Sequence, residues 1–164
     1  MGELVTLVDN NDRMIGSKER SHVSDNDRWR ISLVWVTDKT GNVLIVKRAL
    51  DKKIQPGLWE PGASGTVTYG DSYEQTAHQE LYEELGIKRV NLVAKKVIYF
   101  KSTFGSRALA LFRTIVDRKR EKIKIQTEEI SEIKWIAPKD LEEDHLKHPE
   151  KYTIIFGQLL EYFK

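Results

Sequence analysis

Cysteine is absent from the sequence, which excludes disulfides, thiolate metal sites and thiol nucleophiles. Long apolar runs are absent as well, and none approaches the roughly 18–20 residues that are needed to cross a membrane. The first residues, Met1-Gly2-Glu3-Leu4, lack the basic and then apolar arrangement of a secretory signal. These absences predict a cytoplasmic protein that has no membrane contact and that uses other side chains for its chemistry.

The charged residues are nearly balanced in number but unevenly placed. The 164 residues include 27 Lys and Arg against 25 Asp and Glu, a formal net charge of +2, which indicates no clear nucleic-acid partner. The segment 66–87 contains five acids and no Lys or Arg, so it carries −5 and the remainder of the chain carries +7. Such a block is a candidate metal site beside a candidate anion site, or else a solvated acidic helix face.

Short apolar runs alternate with a few helical segments, which predicts one domain of the α/β or α+β class. Strands are predicted at 3–8, 14–18, 31–37, 43–48, 92–100, 108–116 and 130–137, and helices at 72–85, after Pro138 and at 152–163. The segment 54–65 holds two Pro and three Gly and is predicted to be a structured loop leading into a strand. The helix at 72–85 begins at a cap formed by Asp71 or Ser72, with Asp71 and Glu74 at capping-box spacing.

Three glutamates share one face of the predicted helix. Glu80, Glu83 and Glu84 lie at positions i, i+3 and i+4, where like charges repel by a few tenths of a kcal/mol per pair. A divalent cation would reverse the sign of that interaction, and Mg²⁺ typically binds a few carboxylates together with substrate phosphates. The three residues are therefore a candidate platform for Mg²⁺ or Mn²⁺, although paired glutamates are also common on exposed helices.

The segment from Gly65 to Ile87 resembles the Nudix box, G-x5-E-x7-R-E-U-x-E-E-x-G-U, in which U is apolar. Seven of the nine specified positions match: Gly65, Glu80, Leu81, Glu83, Glu84, Gly86 and Ile87. The resemblance implies a Nudix fold, a mixed β-sheet sandwiched between helices, that spans residues 1–164 as a single domain with an N-terminal strand extension at about 1–30. It also implies that the main-chain carbonyl of Ser64 joins the three glutamates as a metal ligand.

Two positions depart from the box, because Asp71 stands where the family has Glu and Gln79 where it has Arg. In Nudix proteins these two residues are thought to hold the loop against the helix, and Gly65 and Gly86 belong to the same structural frame. Both partners have changed here, so no Arg charge is left without its partner. We expect Asp71 and Gln79 to form a substituted structural clamp, joined by a hydrogen bond instead of an ion pair.

Beyond the box, the chain resembles the isopentenyl-diphosphate isomerase branch of the superfamily, which contains both isomerases and hydrolases. The matching segments are Val8-Asp9, Gly16, Arg20, His22, the run Leu44 to Lys53, and Pro56-Gly57-Leu58-Trp59. The isomerases use a Cys and a Glu, but these positions align with Ser64 and Arg107. Of the histidines that bind metal in that family, His22 matches, whereas Trp29 and Thr66 stand at the next two positions. The resemblance therefore favours a hydrolase over an isomerase, and a nucleotide-binding Nudix module without turnover is a further alternative.

The resemblance also suggests roles around a small-molecule substrate, a nucleoside diphosphate linked to a group X. Arg48 and Lys52 match diphosphate-contacting positions, and Arg107 is a candidate for a further phosphate contact. The general base is Glu83 in the box, which we favour, or a glutamate of the later segment that contains Glu128, Glu129 and Glu132. The oligomeric state is left open, with a homodimer among the options.

Overall fold

The computed structural model describes residues 2–164, which form nine strands and three helices around one sheet. The strands are β1 (Leu4–Val8), β2 (Met14–Glu19), β3 (Arg28–Asp38), β4 (Val43–Arg48), β5 (Trp59–Pro61), β6 (Ala63–Thr66), β7 (Val93–Ser102), β8 (Gly105–Val116) and β9 (Ile130–Ile136). The helices are α1 (Tyr73–Leu85), α2 (Pro138–Lys147) and α3 (Phe156–Phe163). No helix within residues 2–164 is long and apolar enough to cross a membrane.

Strand β3 lies at the centre of the sheet. It runs parallel to β8 over its whole length, from Arg28 opposite Ser106 to Asp38 opposite Val116. It also pairs antiparallel with β1, β4 and β6, while β4 pairs with β5 and β9. The hairpin of β1 and β2 thus extends the sheet beside the first residues of β3.

Side chains of β3 alternate between two cores, as the period-2 geometry of a strand requires. Leu33 and Trp35 pack with residues of α2 and α3, whereas Val34 and Val36 pack with residues of α1. One face of the sheet is therefore covered by α1 and the other by α2 and α3. This arrangement confirms the predicted mixed sheet between helices.

Two parts of the predicted secondary structure are wrong. The segment 54–65, predicted to be a loop, contains the short strands β5 and β6, which are held by pairing with β4 and β3. Helix α3 begins at Phe156 and not at residue 152, because Tyr152 pairs with Trp59 and its hydroxyl donates to Asp144 at 2.5 Å. In both cases contacts with residues far away in the sequence override the local pattern.

Candidate active site

A cavity of about 540 Å³ opens beside β3, a size typical of sites for small molecules. Its walls combine three kinds of side chain. The acids are Glu3, Glu60, Glu80, Glu83, Glu84 and Glu129; the cations are Arg20, Arg48, Lys52 and Arg107; the apolar part includes Trp29, Ile31, Leu33, Phe100, Phe104, Leu109 and Leu159. Sequence-predicted site residues from distant segments are thus gathered around one space.

Helix α1 carries the box glutamates to this cavity. Its buried stripe of Ala77, Leu81 and Leu85 packs into the core, which fixes the rotation of the helix and turns the glutamate face towards β6. The N-cap is Ser72, which forms a capping box with Gln75. The alternative pairing of Asp71 with Glu74 is therefore wrong.

Strand β6 lies directly against the carboxylates of α1. A Cβ atom on Gly65 would stand 2.0 Å from Oε1 of Glu80, so only glycine leaves room for that carboxylate. The backbone N–H of Ser64 donates to Oε2 of Glu84 at 3.2 Å. In an antiparallel strand the N–H and C=O of one residue point the same way, so the Ser64 carbonyl also faces the acids.

Glu60 joins the acids of the helix, and sequence reasoning missed it. It lies on β5 opposite Val46, whose side chain packs on the α1 face of the sheet, and this register places Glu60 near Glu84. No motif marks the residue, because the segment reads as a loop. The strand pairing itself is the only signal, and it becomes visible once β4 and β5 are aligned.

The later segment contributes one acid to the cavity. Glu129 lines the cavity and forms an ion pair with Lys52. Its segment is tied to the end of α1, where Lys124 and Gln126 donate their N–H groups to the carbonyls of Leu85 and Glu84 at 2.9 and 3.0 Å. We call Glu60, Glu80, Glu84 and Glu129 the acidic wall.

Glu132 lies apart from this wall. It lies on β9 opposite Lys47, is 56% exposed, and has a carboxylate oxygen 3.7 Å from Nζ of Lys47. The geometry therefore brings Glu129 to the cavity but leaves Glu132 on the outer surface of the sheet.

The acidic wall disfavours its own ionisation. Burial, followed by the charges of Glu83 and Glu129, raises the pKa of Glu80 to about 7. Burial, followed by the charges of Glu60 and Glu80, raises the pKa of Glu84 well above its ordinary value, against the hydrogen bond from Ser64. Burial also raises the pKa of Glu60, although Arg48 opposes it. Burial is thus the main reason that ionisation of the wall is unfavourable, and repulsion between its acids adds to it.

Both predicted diphosphate-binding cations lie in the cavity and both have carboxylate partners. Arg48 donates through Nη1 to Glu60 at 2.9 Å and through Nε to the carbonyl of Ile54 at 3.0 Å. Lys52 pairs with Glu129. Each cation therefore stands next to the acidic wall, where a bound phosphate would meet both signs of charge.

Arg107 lines the cavity together with Trp29 and Phe104. Its side chain is buried, with the guanidinium carbon 3.2 Å from the centroid of the Trp29 ring. Nη2 donates to the carbonyl of Phe104 at 2.7 Å and Nη1 to that of Ser106 at 3.2 Å. We call Trp29, Phe104 and Arg107 the arginine end of the cavity.

The expected clamp between Asp71 and Gln79 is not formed. The amide of Gln79 donates instead to Oε1 of Glu83 at 2.9 Å, one turn along the exposed side of α1. Within residues 2–164, Asp71 receives no hydrogen bond from Gln79. The loop is held by other contacts, such as the N–H of Asp71 to the carbonyl of Thr68 at 3.0 Å. Gly86 ends the helix at φ 70°, as expected.

Within the part of the chain that the structure describes, no three His, Asp or Glu side chains stand close enough to form a finished metal cage. Glu83 reaches the cavity but is bonded to Gln79, while Glu80 and Glu84 stand one helical turn apart. The carboxylate oxygens that a hard cation prefers are therefore present in this part of the cavity, but they do not converge on one point.

The matching family model is that of the NUDIX domain, over residues 27–156. The chain is 31% identical over 137 residues to an uncharacterized Nudix hydrolase, PA4841, of Pseudomonas aeruginosa, covering 83% of this chain and 79% of that one. It is 29% identical to isopentenyl-diphosphate delta-isomerase 2 of Photorhabdus laumondii, over 98% of this chain and 92% of that one. The crystal structure of DR0079 from Deinococcus radiodurans superposes with a TM-score of 0.79 at 20% identity, covering 97% and 98% of the two chains.

The matching family model and the relative named a Nudix hydrolase identify the chain as a hydrolase. The chain belongs to the NUDIX family, and it is a Nudix hydrolase with whole-length similarity to the isopentenyl-diphosphate isomerase branch.

Proposed function

We propose that this hydrolase cleaves the diphosphate linkage of a nucleoside diphosphate-X substrate by attack of water at phosphorus. The observation that carries the proposal is the meeting of the acidic wall with Arg48 and Lys52 in one cavity. A diphosphate needs cations around its oxygens, and its hydrolysis needs a base and a counter-charge. This end of the cavity offers side chains for each requirement.

A divalent cation suits the acidic wall. The raised pKa values of Glu80 and Glu84 reflect burial first and repulsion from neighbouring acids second, and a bound Mg²⁺ or Mn²⁺ would stabilise the ionised carboxylates. Glu80, Glu83 and Glu84 would hold the ion, with the Ser64 carbonyl as a further oxygen. The chemistry supplied by the bound ion is neutralisation of the diphosphate and a lowered pKa of the attacking water.

Two glutamates compete for the role of general base. Glu83 remains our choice within the box, since its release from Gln79 would free a carboxylate at the mouth of the cavity. Among the later glutamates Glu129 is the better placed, because it lines the cavity whereas Glu132 does not. Comparison of E83Q with E129Q by the pH profile of kcat decides between them: loss of the acidic limb, which reports deprotonation of the base, identifies the base.

Arg48 and Lys52 would contact the diphosphate after exchanging their carboxylate partners for phosphate oxygens. Arg48 can make a bidentate contact and Lys52 a single-point one. We expect R48A to reduce kcat/KM more than K47A, because Lys47 lies over Trp59 and does not line the cavity. Equal losses would indicate an effect of general surface charge.

Isomerase activity is the second candidate, since whole-length relatives carry that name. The chain lacks the thiol that the resemblance assigns to the isomerase reaction, because Ser64 stands there and serine is a far weaker acid. The position of the catalytic Glu is held by Arg107, a cation. We therefore favour the hydrolase.

One experiment tests the proposed function. Nucleotide sugars, nucleoside di- and triphosphates, dinucleoside polyphosphates and isopentenyl diphosphate are incubated with Mg²⁺, with Mn²⁺, or with EDTA, in ¹⁸O-labelled water. We expect metal-dependent release of phosphorylated products that carry the label on phosphorus. Deuterium incorporation into isopentenyl diphosphate in D₂O, or tight binding of nucleotides with no turnover, would overturn the proposal.

A further inference from the structure

The arginine end differs from the rest of the cavity in having a charge without a counter-charge. No carboxylate oxygen lies within 4 Å of Arg107 in residues 2–164. By contrast, Arg48 and Lys52 at the other end are each paired with an acid. A buried cation without a partner is rare because its desolvation is costly.

The guanidinium also has unused donors. Of the five N–H hydrogens of an arginine, the carbonyls of Phe104 and Ser106 take one each, which leaves three without an acceptor among the described residues. The ring of Trp29 covers one face of the guanidinium, and the side chain lines the cavity. A planar fork of this kind matches the oxygens of a carboxylate or a phosphate.

Burial of the Arg107 guanidinium is energetically unfavourable. Burial, followed by the charge of Arg20, lowers the pKa of Arg107 to about 10. The cation–π contact with the indole of Trp29 offsets part of the unfavourable desolvation energy of Arg107, but the indole supplies no negative charge. Arg20, which lines the same cavity, is 56% exposed and is already paired with Glu3 at 3.0 Å. An anion at this end would therefore meet one cation without a carboxylate partner, Arg107.

The arginine end is distinct from the diphosphate end. The carboxylates of the acidic wall do not perturb the pKa of Arg107, although they perturb one another, and Arg20 acts on the pKa values of both Arg107 and Glu80. Ile31 and Leu33 follow Trp29 on the same face of β3, and Leu109 follows Arg107 on β8, so the wall of the cavity next to the arginine end is apolar. A substrate that spans the cavity would therefore place its diphosphate on one side of an apolar wall and its far group on the other.

We propose that Arg107, stacked on Trp29, binds a second anionic group on the X side of the substrate, a carboxylate or a phosphate separate from the diphosphate. This inference rests on the proposed function for the position of the diphosphate. It narrows the substrate class to diphosphates whose organic part carries an additional oxyanion. It also assigns Arg107 to substrate selection and not to the diphosphate itself.

Matched substrate pairs test the inference by turnover. UDP-glucuronate and UDP-glucose differ by one carboxylate, while NADPH and NADH, or coenzyme A and dephospho-coenzyme A, differ by one phosphate. We expect kcat/KM to be at least about tenfold higher for the anionic member of at least one pair, the effect of one charge-assisted hydrogen bond or more. The carboxylate and phosphate pairs identify which oxyanion is bound.

The variant R107Q should remove this preference by lowering kcat/KM for the anionic member of the pair. The matched control is R113Q, on the same strand β8 but outside the cavity, which should keep the preference. We expect R107Q to fold with an unchanged or higher melting temperature, because it removes an unpaired buried charge. A preference that persists in R107Q overturns the inference, as do equal rates within all three pairs.

A binding measurement separates this inference from the proposed function. Adenosine 3′,5′-bisphosphate against AMP, and glucuronic acid 1-phosphate against glucose 1-phosphate, are titrated by calorimetry; none of them contains a diphosphate to hydrolyse. We expect tighter binding of the doubly anionic member of one pair by about tenfold in the wild type and not in R107Q. If no diphosphate is hydrolysed, the proposed function fails, and equal affinities in this titration would still overturn the anion site.

Discussion

A carboxylate is buried both in the turn between β3 and β4 and in the acidic wall. Its ionised form is stabilised in the turn and destabilised in the wall. Asp38 accepts hydrogen bonds from the N–H groups of Thr40 and Asn42 and from both of their side chains. Burial alone would raise the pKa of Asp38, but these donors outweigh it and lower the pKa to about 2. Glu84 has one protein donor, the N–H of Ser64, and its pKa is raised.

The contrast teaches how a fold distinguishes a structural acid from a functional one. At Asp38 the surrounding donors compensate the negative charge through hydrogen bonds, so the carboxylate stabilises the turn. Glu84 has a single hydrogen-bond donor and lies among other acids, which lowers the stability of the fold. Its negative charge is therefore left to be compensated by a bound cation or ligand. The two residues should therefore respond in opposite ways to neutral substitution.

The largest effect is expected at Glu84. E84Q should lower kcat by at least about 100-fold, since loss of even an outer-shell partner of a metal costs 10–100-fold. In EDTA its melting temperature should equal or exceed that of the wild type, because an unfavourable charge is removed. The control is E74Q, on the exposed first turn of the same helix. A large loss of stability with full activity would place Glu84 with the structural acids.

Asp38 is expected to behave in the reverse manner. D38N should lose about 2–3 kcal/mol of unfolding free energy at pH 7, from the lowered pKa and from the two main-chain donors, with little change in kcat. Because the folded pKa of about 2 lies below the ordinary value of 3.8, this contribution is present above pH 4. It should disappear as the pH falls towards 2. Urea titrations of both proteins from pH 7 to 2.5 measure it, and a constant difference would contradict the assignment.

A substitution at Gly65 tests whether the backbone of β6 controls the position of the Glu80 carboxylate. G65A should reduce kcat about tenfold, because its Cβ would displace the Glu80 carboxylate from a position 2.0 Å away. In an E80A background the same change should have almost no further effect on kcat. An additive loss in the double variant would show that Gly65 acts on something other than Glu80.

The smallest effect is expected at a fully satisfied cap. S72A removes the side chain that accepts from the N–H of Gln75 at 3.1 Å, which should cost about 1 kcal/mol of unfolding free energy. Activity at 25 °C should be unchanged, since Ser72 lies outside the cavity. A thermal melt combined with a kcat measurement checks both statements, and a lost activity would mean that the cap also positions the glutamates.

The parts of the fold with strong local patterns could be predicted from the sequence. Helix α1 carries its own buried stripe and cap, and β4 is bounded by turn residues, so both lie where expected. Strands β5 and β6 have three and four residues and are rich in Pro and Gly. Their structure comes from pairing with β4 and β3, which no local pattern reveals.

The residues of the site also fall into two groups. Some are positioned by the local sequence, and others by pairing between strands that are distant in the sequence. The box places Glu80, Glu83 and Glu84 through helical spacing alone. Glu60 reaches the acidic wall only through the register of β5 on β4, and Arg107 meets Trp29 only because β8 runs parallel to β3. The expected partner of Gln79 was wrong because Glu83, one helical turn away, offers a nearer acceptor.

The hydrogen bonds from Lys124 and Gln126 to the end of α1 have a practical consequence for engineering. They anchor the chain just before Glu129, so the position of that residue does not depend on the length of the preceding turn. Because Arg118 pairs with Asp38, a fluorescent label or a short peptide tag belongs at the exposed residues 119–120, where it would leave both that pair and the cavity in place.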